Sequence, residues 1–520
     1  MDQALRQKIG QLFMVGFDAL EVNEHITRLI QERHVGGVIL FRRNVHTPQQ
    51  VAALCRRLQE INAEVSDIPL LISLDQEGGM VMRVEQGVTP IPAAMAFQQA
   101  GSVADCEQLS RISGDEMRQL GINMILAPVL DVNNNPLNPV IGVRAFGEDP
   151  DTVINYGMAA MRGLNAAGVI TTAKHFPGHG DTSTDSHYSM SIVPHDKARL
   201  DAMELPPFKA AIAQGVHAIM TAHVVFPAIE SEPDLPATLS KSVLTDLLRG
   251  ELGFKGVIIS DCLEMLAIAD GVGVTNGAIQ TLKAGADIAL ISHQQERQQA
   301  AIDGVIAAVE RGEISLDQIN QAHERVQQLK QISAVKTWRD APIIPQGLMQ
   351  PAALALAEKV QRAALRVAGA FRPLNTALPV TLITVEVRLR SEVDEAVIAR
   401  NNEARSSMLP ALLAAGIDVR EYALSSEAND AEVAAAIAFA QGAQQIVLQT
   451  YNAMLVKGQQ TLVAALPQDK LWLVAGRLPY DLDLAPNAQG RLASYGCRPA
   501  ALAPVVEKLL GVAQSICVLC

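Results

Sequence analysis

The chain has no surplus of basic residues: 42 Lys and Arg stand against 55 Asp and Glu, for a formal net charge of −13. That balance argues against a nucleic-acid surface or an anionic membrane as the main partner, since both recruit proteins through positive charge. Long apolar runs are also missing. Stretches such as "HAIMTAHVVF" (217–226) fall far short of the roughly 20 residues that a membrane-spanning helix needs. The first twenty residues, "MDQALRQKIGQLFMVGFDAL", have neither a sustained apolar core nor a small-residue cleavage site, so no secretory signal is read there. Cysteine is sparse, with six residues at 55, 106, 262, 497, 517 and 520. Only Cys517 and Cys520 are spaced as CxxC, and no second pair completes a zinc site with them. A reducing cytoplasm is the expected compartment.

What is present is the composition of a packed globular protein, 49% hydrophobic and 19% charged. A length of 520 residues calls for more than one domain. The first two-thirds repeat one unit of apolar strand, polar or glycine-rich turn and amphipathic helix. Eight strands are expected at 12–17, 36–41, 69–75, 123–131, 168–176, 217–225, 256–261 and 286–292. Near-continuous apolar strands alternating with helices imply a parallel sheet buried on both faces. Eight units in this span predict an α/β fold of the TIM-like (β/α)8 barrel type over residues 1–335, with its site at the strand C-termini. "ISAVKTWRDAPIIPQGLMQ" (332–350) breaks the rhythm, and 336–350 is read as a linker. Residues 351–520 carry a second pattern, with strands at 378–387, 417–424, 444–451 and 470–476 between alanine-rich helices. A smaller three-layer α/β/α sandwich is expected there. It has no phosphate-binding glycine fingerprint, so no cofactor is assigned to it.

Polar residues gather where the apolar runs end: Asp75 with Gln76 and Glu77, Asp131 with Asn133, Lys174 with His175, His223, and Asp261. The strand starts show no matching set. Asp261 closes "GVIISD", where a carboxylate on a rigid strand end can act as a nucleophile or cap the next helix. In "KHFPGHGDTSTDSH" (174–187), Asp185 and His187 are two apart, so an extended backbone puts both on one side. A carboxylate there fixes the imidazole tautomer and raises its basicity, which suits proton transfer near neutrality. "FPGHG" reads as a tight or moving loop, shaped by His179 and Asp181. Asp75, Arg83, Arg144 and Lys174 together fit a sugar-sized, hydroxyl-rich ligand.

"GGVILFRRNV", "LDQEGG", "APVLDVNNNPLNPVIGVRAFGEDP", "AKHFPGHGDTSTDSH", "MTAHVVFP" and "GVIISDCLEM" resemble the barrel domain of glycoside hydrolase family 3. More narrowly, they resemble its bacterial β-N-acetylglucosaminidases of the NagZ type. "AGRLPYDLDLAP" and "LASYGCRPAAL" are similar to the second domain of two-domain members. The resemblance implies a retaining mechanism, with Asp261 as nucleophile, His187 as general acid and then base, and Asp185 as its dyad partner. It further implies that Asp75, Arg83, Arg144, Lys174 and His175 contact the sugar. No metal or organic cofactor is implied. The partner expected is a small saccharide or muropeptide, with no nucleic acid and no membrane. The chain departs from the family pattern at Met80, where arginine is common, at Cys262, where aspartate is common, and at Ala145 in place of serine.

Three rival readings remain at this point. A metal-dependent amidohydrolase could use His175, His223 and Asp261, but it would also want an HxH pair on the first strand, and "LFMVGF" has no histidine. A phosphorylase is compatible with a histidine acid/base, which repels phosphate less than a carboxylate does. A saccharide-binding protein without turnover is disfavoured, because both proposed catalytic positions are filled.

Overall fold

Eight short parallel strands form one continuous sheet that closes on itself: β1 (Phe13–Val15), β2 (Gly37–Leu40), β3 (Leu71–Leu74), β4 (Met124–Ile125), β5 (Ile170–Phe176), β6 (Ala218–Thr221), β7 (Val257–Ile259) and β8 (Ala289–Ile291). The computed structural model describes residues 3–183, 190–386 and 407–512. The order β7-β6-β5-β4-β3-β2-β1-β8 follows the chain around the barrel. The β7–β8 seam is joined by a parallel bridge between Ile259 and Ile288 and by the Ser260 N–H donating to the Ile288 carbonyl at 2.9 Å. Each strand falls inside its predicted apolar run, and every strand residue is buried. The inner faces fill the barrel and the outer faces meet helices, which is why the runs are apolar on both sides.

β4 is much shorter than the nine residues expected. Pro128 cannot donate to a ladder, and after the Leu126 N–H, which donates to the Leu74 carbonyl of β3 at 3.0 Å, the chain pairs on the β5 side. The Thr172 N–H donates to the Ala127 carbonyl at 2.9 Å, and the Leu130 N–H donates to the Lys174 carbonyl at 2.7 Å.

The second pattern forms a six-stranded sheet: β9 (Arg366–Val367), β10 (Val380–Glu386), β11 (Val419–Ser425), β12 (Gln445–Thr450), β13 (Leu471–Ala475) and β14 (Gly490–Ala493). Its order is β9-β14-β13-β12-β10-β11, parallel except for β9 against β14. Alternate residues serve opposite faces, as the strand period requires. Val447, Trp472 and Val474 pack on helices Leu409–Ala414 and Pro499–Leu510. Ile446, Leu448 and Leu473 pack on helices Asp430–Ala440 and Lys457–Ala465. The result is the three-layer arrangement expected from sequence, with β9 and β14 added. Helix Pro351–Ala364 ties the two units together: Ala357 and Val360 enter the barrel core, while Arg362 Nη2 pairs with Glu507 Oε1 at 2.7 Å. Among the described residues, no helix is long and apolar enough to cross a membrane.

The N-terminal end of the barrel is not bare of polar groups, contrary to the sequence reading. Asp287 is buried and pairs with Arg249 at 2.5 Å and Arg325 at 2.8 Å. Asn123 accepts from the Ile72 N–H at 2.8 Å and donates to the Leu70 carbonyl at 3.0 Å. These side chains stitch strands to one another, so they brace the frame without lining a cavity. Lys330 is the exception in energetic terms. It is buried and donates to Gln11 Oε1 at 2.7 Å, and burial pushes its ammonium pKa down to about 7.

Between about pH 7 and the ordinary lysine value near ~10.4, the folded state therefore holds fewer protons than the unfolded chain, and stability rises with pH across that window. Replacing Lys330 by Met is expected to raise thermal stability at pH 6 by up to about 4 kcal/mol, less the unmet Gln11 acceptor. The gain should shrink toward zero by pH 10. A melting series of both proteins from pH 6 to 10 checks this, and a gap independent of pH contradicts it.

Candidate functional site

The C-terminal strand ends converge on a cavity open to solvent. Ile39, Leu126, Met220 and Leu290 line it with apolar side chains, and Asp75, Arg83, Arg144, Lys174, His175, His179 and Asp261 supply its polar groups. Asp75 is the first residue beyond β3, Lys174 and His175 lie within β5, and Asp261 is the second residue beyond β7. After Asp75 the chain doubles back in a hairpin, Gln76–Gly78 against Val81–Met82. Gly78 and Gly79 make that reversal at φ +107° and +56°, and a Cβ on Gly79 would lie 2.6 Å from the Ala93 Cβ. Only glycine fits both demands. The hairpin places Glu77 and Arg83 beside Asp75.

These residues form one buried chain of alternating charge. Arg83 Nη2 lies 2.9 Å from Asp75 Oδ2. The Lys174 ammonium reaches Asp75 Oδ1 at 2.7 Å and Glu77 Oε1 at 2.6 Å. Arg144 grips Glu77 with two parallel hydrogen bonds of 2.9 and 2.8 Å. Burial would raise the Asp75 carboxyl, but Lys174 and Arg83 outweigh it and hold it well below the usual carboxylate range. Burial likewise opposes ionisation of Glu77, and Arg144 with Lys174 overrides it, bringing its pKa down to about 2.

A second group orients the histidines. Asp131 Oδ2 lies 2.7 Å from His175 Nδ1, and Asp131 Oδ1 accepts from the His175 and His179 backbone N–H groups at 3.2 and 2.7 Å. The Asp131 carboxyl is buried, which would raise it, yet His175 lowers it overall. His175 Nε2 lies 3.4 Å from Arg144 Nη2, which links the two groups. His179 is pushed down to about 4 by burial and then by His175. It is therefore neutral at pH 7, with Nδ1 2.9 Å from Thr182 Oγ1.

Asp261 Oδ1 accepts from the Cys262 N–H at 2.7 Å, and the Asp261 N–H donates to Thr221 Oγ1 at 3.3 Å. The carboxylate is thereby fixed on the cavity wall. His223 is not among the cavity-lining side chains. Its Nδ1 lies 2.8 Å from Thr238 Oγ1 and its Nε2 2.8 Å from the Cys262 carbonyl, so it braces the Asp261 turn. Asp185 and His187 lie outside the described residues, as do Cys517 and Cys520.

Among the described residues, one cluster has metal-ligand chemistry: donor atoms of Cys262, Glu264 and His293 lie within 4.8 Å of one another. Both Glu264 oxygens accept backbone hydrogen bonds, from His293 at 2.5 Å and Gln294 at 3.0 Å, where helix Gln295–Glu310 begins. That carboxylate is anchoring the helix start.

Asp75, Arg83, Arg144, Lys174, His175 and Asp261 are thus brought to one cavity. Sequence reading put Glu77 on the rim but gave it no role, although it is the centre of the Lys174–Arg144 link. Its signal was the pair of glycines after it, which mark a hairpin folding back over Asp75. Phe41 and Ser292, also in the lining, follow β2 and β8 and carry no polar pattern to single them out.

Residues 4–329 match the family described as glycosyl hydrolase family 3 N terminal domain. Beta-hexosaminidase A of Pseudoalteromonas piscicida is 36% identical over 327 residues, covering 59% of this chain and 54% of that protein. The chain thus spans about half the length of that curated relative. The beta-hexosaminidase of Vibrio cholerae serotype O1 (strain M66-2) is 38% identical over 287 residues, 55% of this chain and 83% of the relative. Among solved structures, a glycoside hydrolase family 3 beta-N-acetylglucosaminidase from Paenibacillus sp. str. FPU-7 superposes with a TM-score of 0.91 at 43% identity. That match covers 98% of this chain and 97% of the other, so it includes the second sheet.

The buried charge chain has a measurable signature. Because the Asp75 and Glu77 carboxyls are depressed on folding, their contribution to stability is complete above about pH 5 and is lost as pH falls toward 2. Lys174→Met leaves two buried carboxylates short of a partner, and a destabilisation of about 3–5 kcal/mol is expected at pH 7. The gap to the parent protein should narrow as pH falls toward 3, where the orphaned carboxylates protonate. Thermal unfolding of both proteins between pH 3 and 7 measures it.

Proposed function

The chain belongs to glycosyl hydrolase family 3, and from that premise we propose an exo-acting β-N-acetylglucosaminidase that releases terminal β-linked N-acetylglucosamine. Muropeptides and chitin fragments are the substrate classes that present such an end. The observation that carries this reading is the buried Arg83–Asp75–Lys174–Glu77–Arg144 chain, of which Arg83, Asp75, Lys174 and Arg144 line the same cavity as Asp261. Fixed cations and carboxylates side by side offer donors and acceptors at set positions, which suits a ring carrying hydroxyls in one stereochemistry. The apolar barrel residues Ile39 and Leu290 line the same cavity, and an end-on fit of one terminal ring against them is the basis for proposing cleavage from the terminus. Apolar lining from Met220, Leu126 and Val140 offers a surface to the acetyl methyl group.

In the proposed reaction the Asp261 carboxylate attacks the anomeric carbon while the His187 imidazolium gives its proton to the departing glycosidic oxygen. A covalent glycosyl-enzyme forms and the aglycone leaves. His187, now neutral, takes a proton from water as that water attacks the anomeric carbon, and Asp261 is released as carboxylate. Asp185 holds the imidazole in the orientation both steps require. The support for the Asp185–His187 roles is the "GHGDTSTDSH" motif, and the support for Asp261 is its motif together with its fixed place on the cavity wall.

Asp261→Ala is expected to abolish turnover of an aryl β-N-acetylglucosaminide. His187→Ala is expected to lower it by about 10²–10⁴-fold, with one N-acetylhexosamine unit accumulating on Asp261 by peptide mass spectrometry. Near-parental rates in either variant would overturn the assignment. Inorganic phosphate should leave the rate and the free-sugar product unchanged; formation of a sugar 1-phosphate would make the protein a phosphorylase instead.

A further inference from the structure

The two loops that carry the sugar-site charges are each gripped from outside by the second sheet domain. The first loop runs from β4 to helix Pro150–Ala166 and carries Arg144 in the short turn Gly142–Arg144. Asn133 closes this loop on itself: its N–H donates to the Gly147 carbonyl at 3.0 Å, and its Oδ1 accepts from the Gly142 N–H at 3.0 Å. Tyr480 of the second domain sits on the closure. Asn133 Nδ2 donates to the Tyr480 hydroxyl at 3.1 Å, and that hydroxyl donates to the Glu148 carboxylate. Beside it, Leu478 presses on the Arg144 turn. Gly142 has φ +50°, and a Cβ there would lie 3.0 Å from a Leu478 methyl, while Val143 packs with Leu478 and Leu482.

The second loop is the hairpin between Asp75 and Arg83. Arg498 Nη2 donates to the Met80 carbonyl at 3.0 Å and pairs with Glu85. Glu85 pairs in turn with Arg42, whose Nη2 donates to the Met82 carbonyl at 3.1 Å. Cys497 Sγ lies 3.6 Å from Met80 Sδ, and Met80, Val385, Tyr451 and Cys497 form one buried cluster.

We infer that Tyr480 and Arg498 are positioning residues for sugar binding: Tyr480 sets Arg144 through the Asn133–Gly142 closure, and Arg498 sets Glu77 and Arg83 through the hairpin. The second domain is then part of the site's support, though neither side chain lines the cavity. The inference rests on the proposed sugar site for its kinetic consequence, but the coupling of each residue to its own loop stands apart from that reading. Arg144 and Glu77 hold each other with two hydrogen bonds, so a shift of either loop misaligns both. Misplacement of a binding group by a fraction of an ångström is enough to cost about tenfold in rate.

The test uses the full chain with Tyr480→Phe, Arg498→Lys and Arg498→Met. Tyr480→Phe keeps the ring and its packing, so its melting temperature should stay within about 2 °C of the parent. Its kcat/KM on an aryl β-N-acetylglucosaminide should fall about tenfold, mainly through KM. Arg498→Met should lose a similar factor, and Arg498→Lys should recover part of it by restoring the charge beside Glu85. Hydrogen exchange should quicken most over 133–147 in Tyr480→Phe and most over 76–85 in Arg498→Met, with a smaller effect on the other loop. Values of kcat/KM within twofold of the parent, or exchange unchanged in the matching loop, overturn the inference. So does a loss that only follows the melting temperature and is equal in Arg498→Lys and Arg498→Met. If the parent protein itself fails to cleave the glycoside, the proposed activity falls, while loop-selective exchange still decides the coupling.

Discussion

The site depends on one ammonium group, Lys174, held between two buried carboxylates. Removing a charge from water costs several kcal/mol per ion, and only close partners with good geometry offset it. Lys174 alone would be untenable inside the barrel rim, and so would Asp75 or Glu77. In series, flanked by Arg83 and Arg144, each charge has an opposite neighbour within 3 Å. The members come from different segments: β5, the end of β3, the hairpin beyond it and the loop beyond β4. The charge chain is therefore also a mechanical tie across the third, fourth and fifth units of the barrel. Its arrangement fixes donors and acceptors before any ligand arrives, so binding a polyhydroxylated ring needs little reordering of the protein.

Much of this was legible in the sequence, for a physical reason. Barrel strands buried on both faces must be apolar throughout, so eight apolar runs stood out, and the polar residues ending them stood out by contrast. Asp75, Lys174, His175 and Asp261 are such residues. Arg83 and Arg144 lie in loops, where no strand pattern marks them; their chemistry groups them with Asp75 and Lys174, and the resemblance to a family adds the expected sugar contacts. Glu77 was harder still, because its importance comes from the Gly78–Gly79 reversal and not from its position along a strand. β9 and β14 were missed for different reasons. β9 is two residues long and exposed, and β14, Gly490–Ala493, is opened by a glycine and interrupted by Arg491, so neither gives an apolar run.

The contacts between domains were not legible at all. Tyr480 lies 347 residues from Asn133, and Arg498 lies 413 from Glu85, and no local pattern encodes pairings at that separation. The structure does give a reason for one departure from the family pattern. Met80 stands where arginine is common, and here that position is covered by Cys497, Tyr451 and Val385 of the second domain. A charge there would be buried against apolar groups, so a flexible thioether is the better fit. No comparable contact accounts for Ala145, which is buried with Val140 and Ile141.

The loop after β4 explains why a second domain should matter to a barrel site. From Leu126 to Asp149 the chain has no helix or strand beyond the Gly142–Arg144 turn, a length at which an unsupported loop samples many conformations. Yet Arg144 must hold Glu77 within hydrogen-bond distance and stay near His175, which no freely moving loop can do. The barrel supplies the loop's two ends, the Asn133 closure and the Asn138 hydrogen bonds to the His179 and Gly180 carbonyls, and it packs Ala93, Met95 and Ala96 against Val143. The second domain adds Leu478 and Tyr480 on the same turn. The turns that follow β13, with Leu478 and Tyr480, come from a sheet whose own core is packed on both faces. A rigid body of that kind can transmit position where a loop cannot. The charge chain is thus built by the barrel and kept in register by the second sheet, so the two domains form one functional unit.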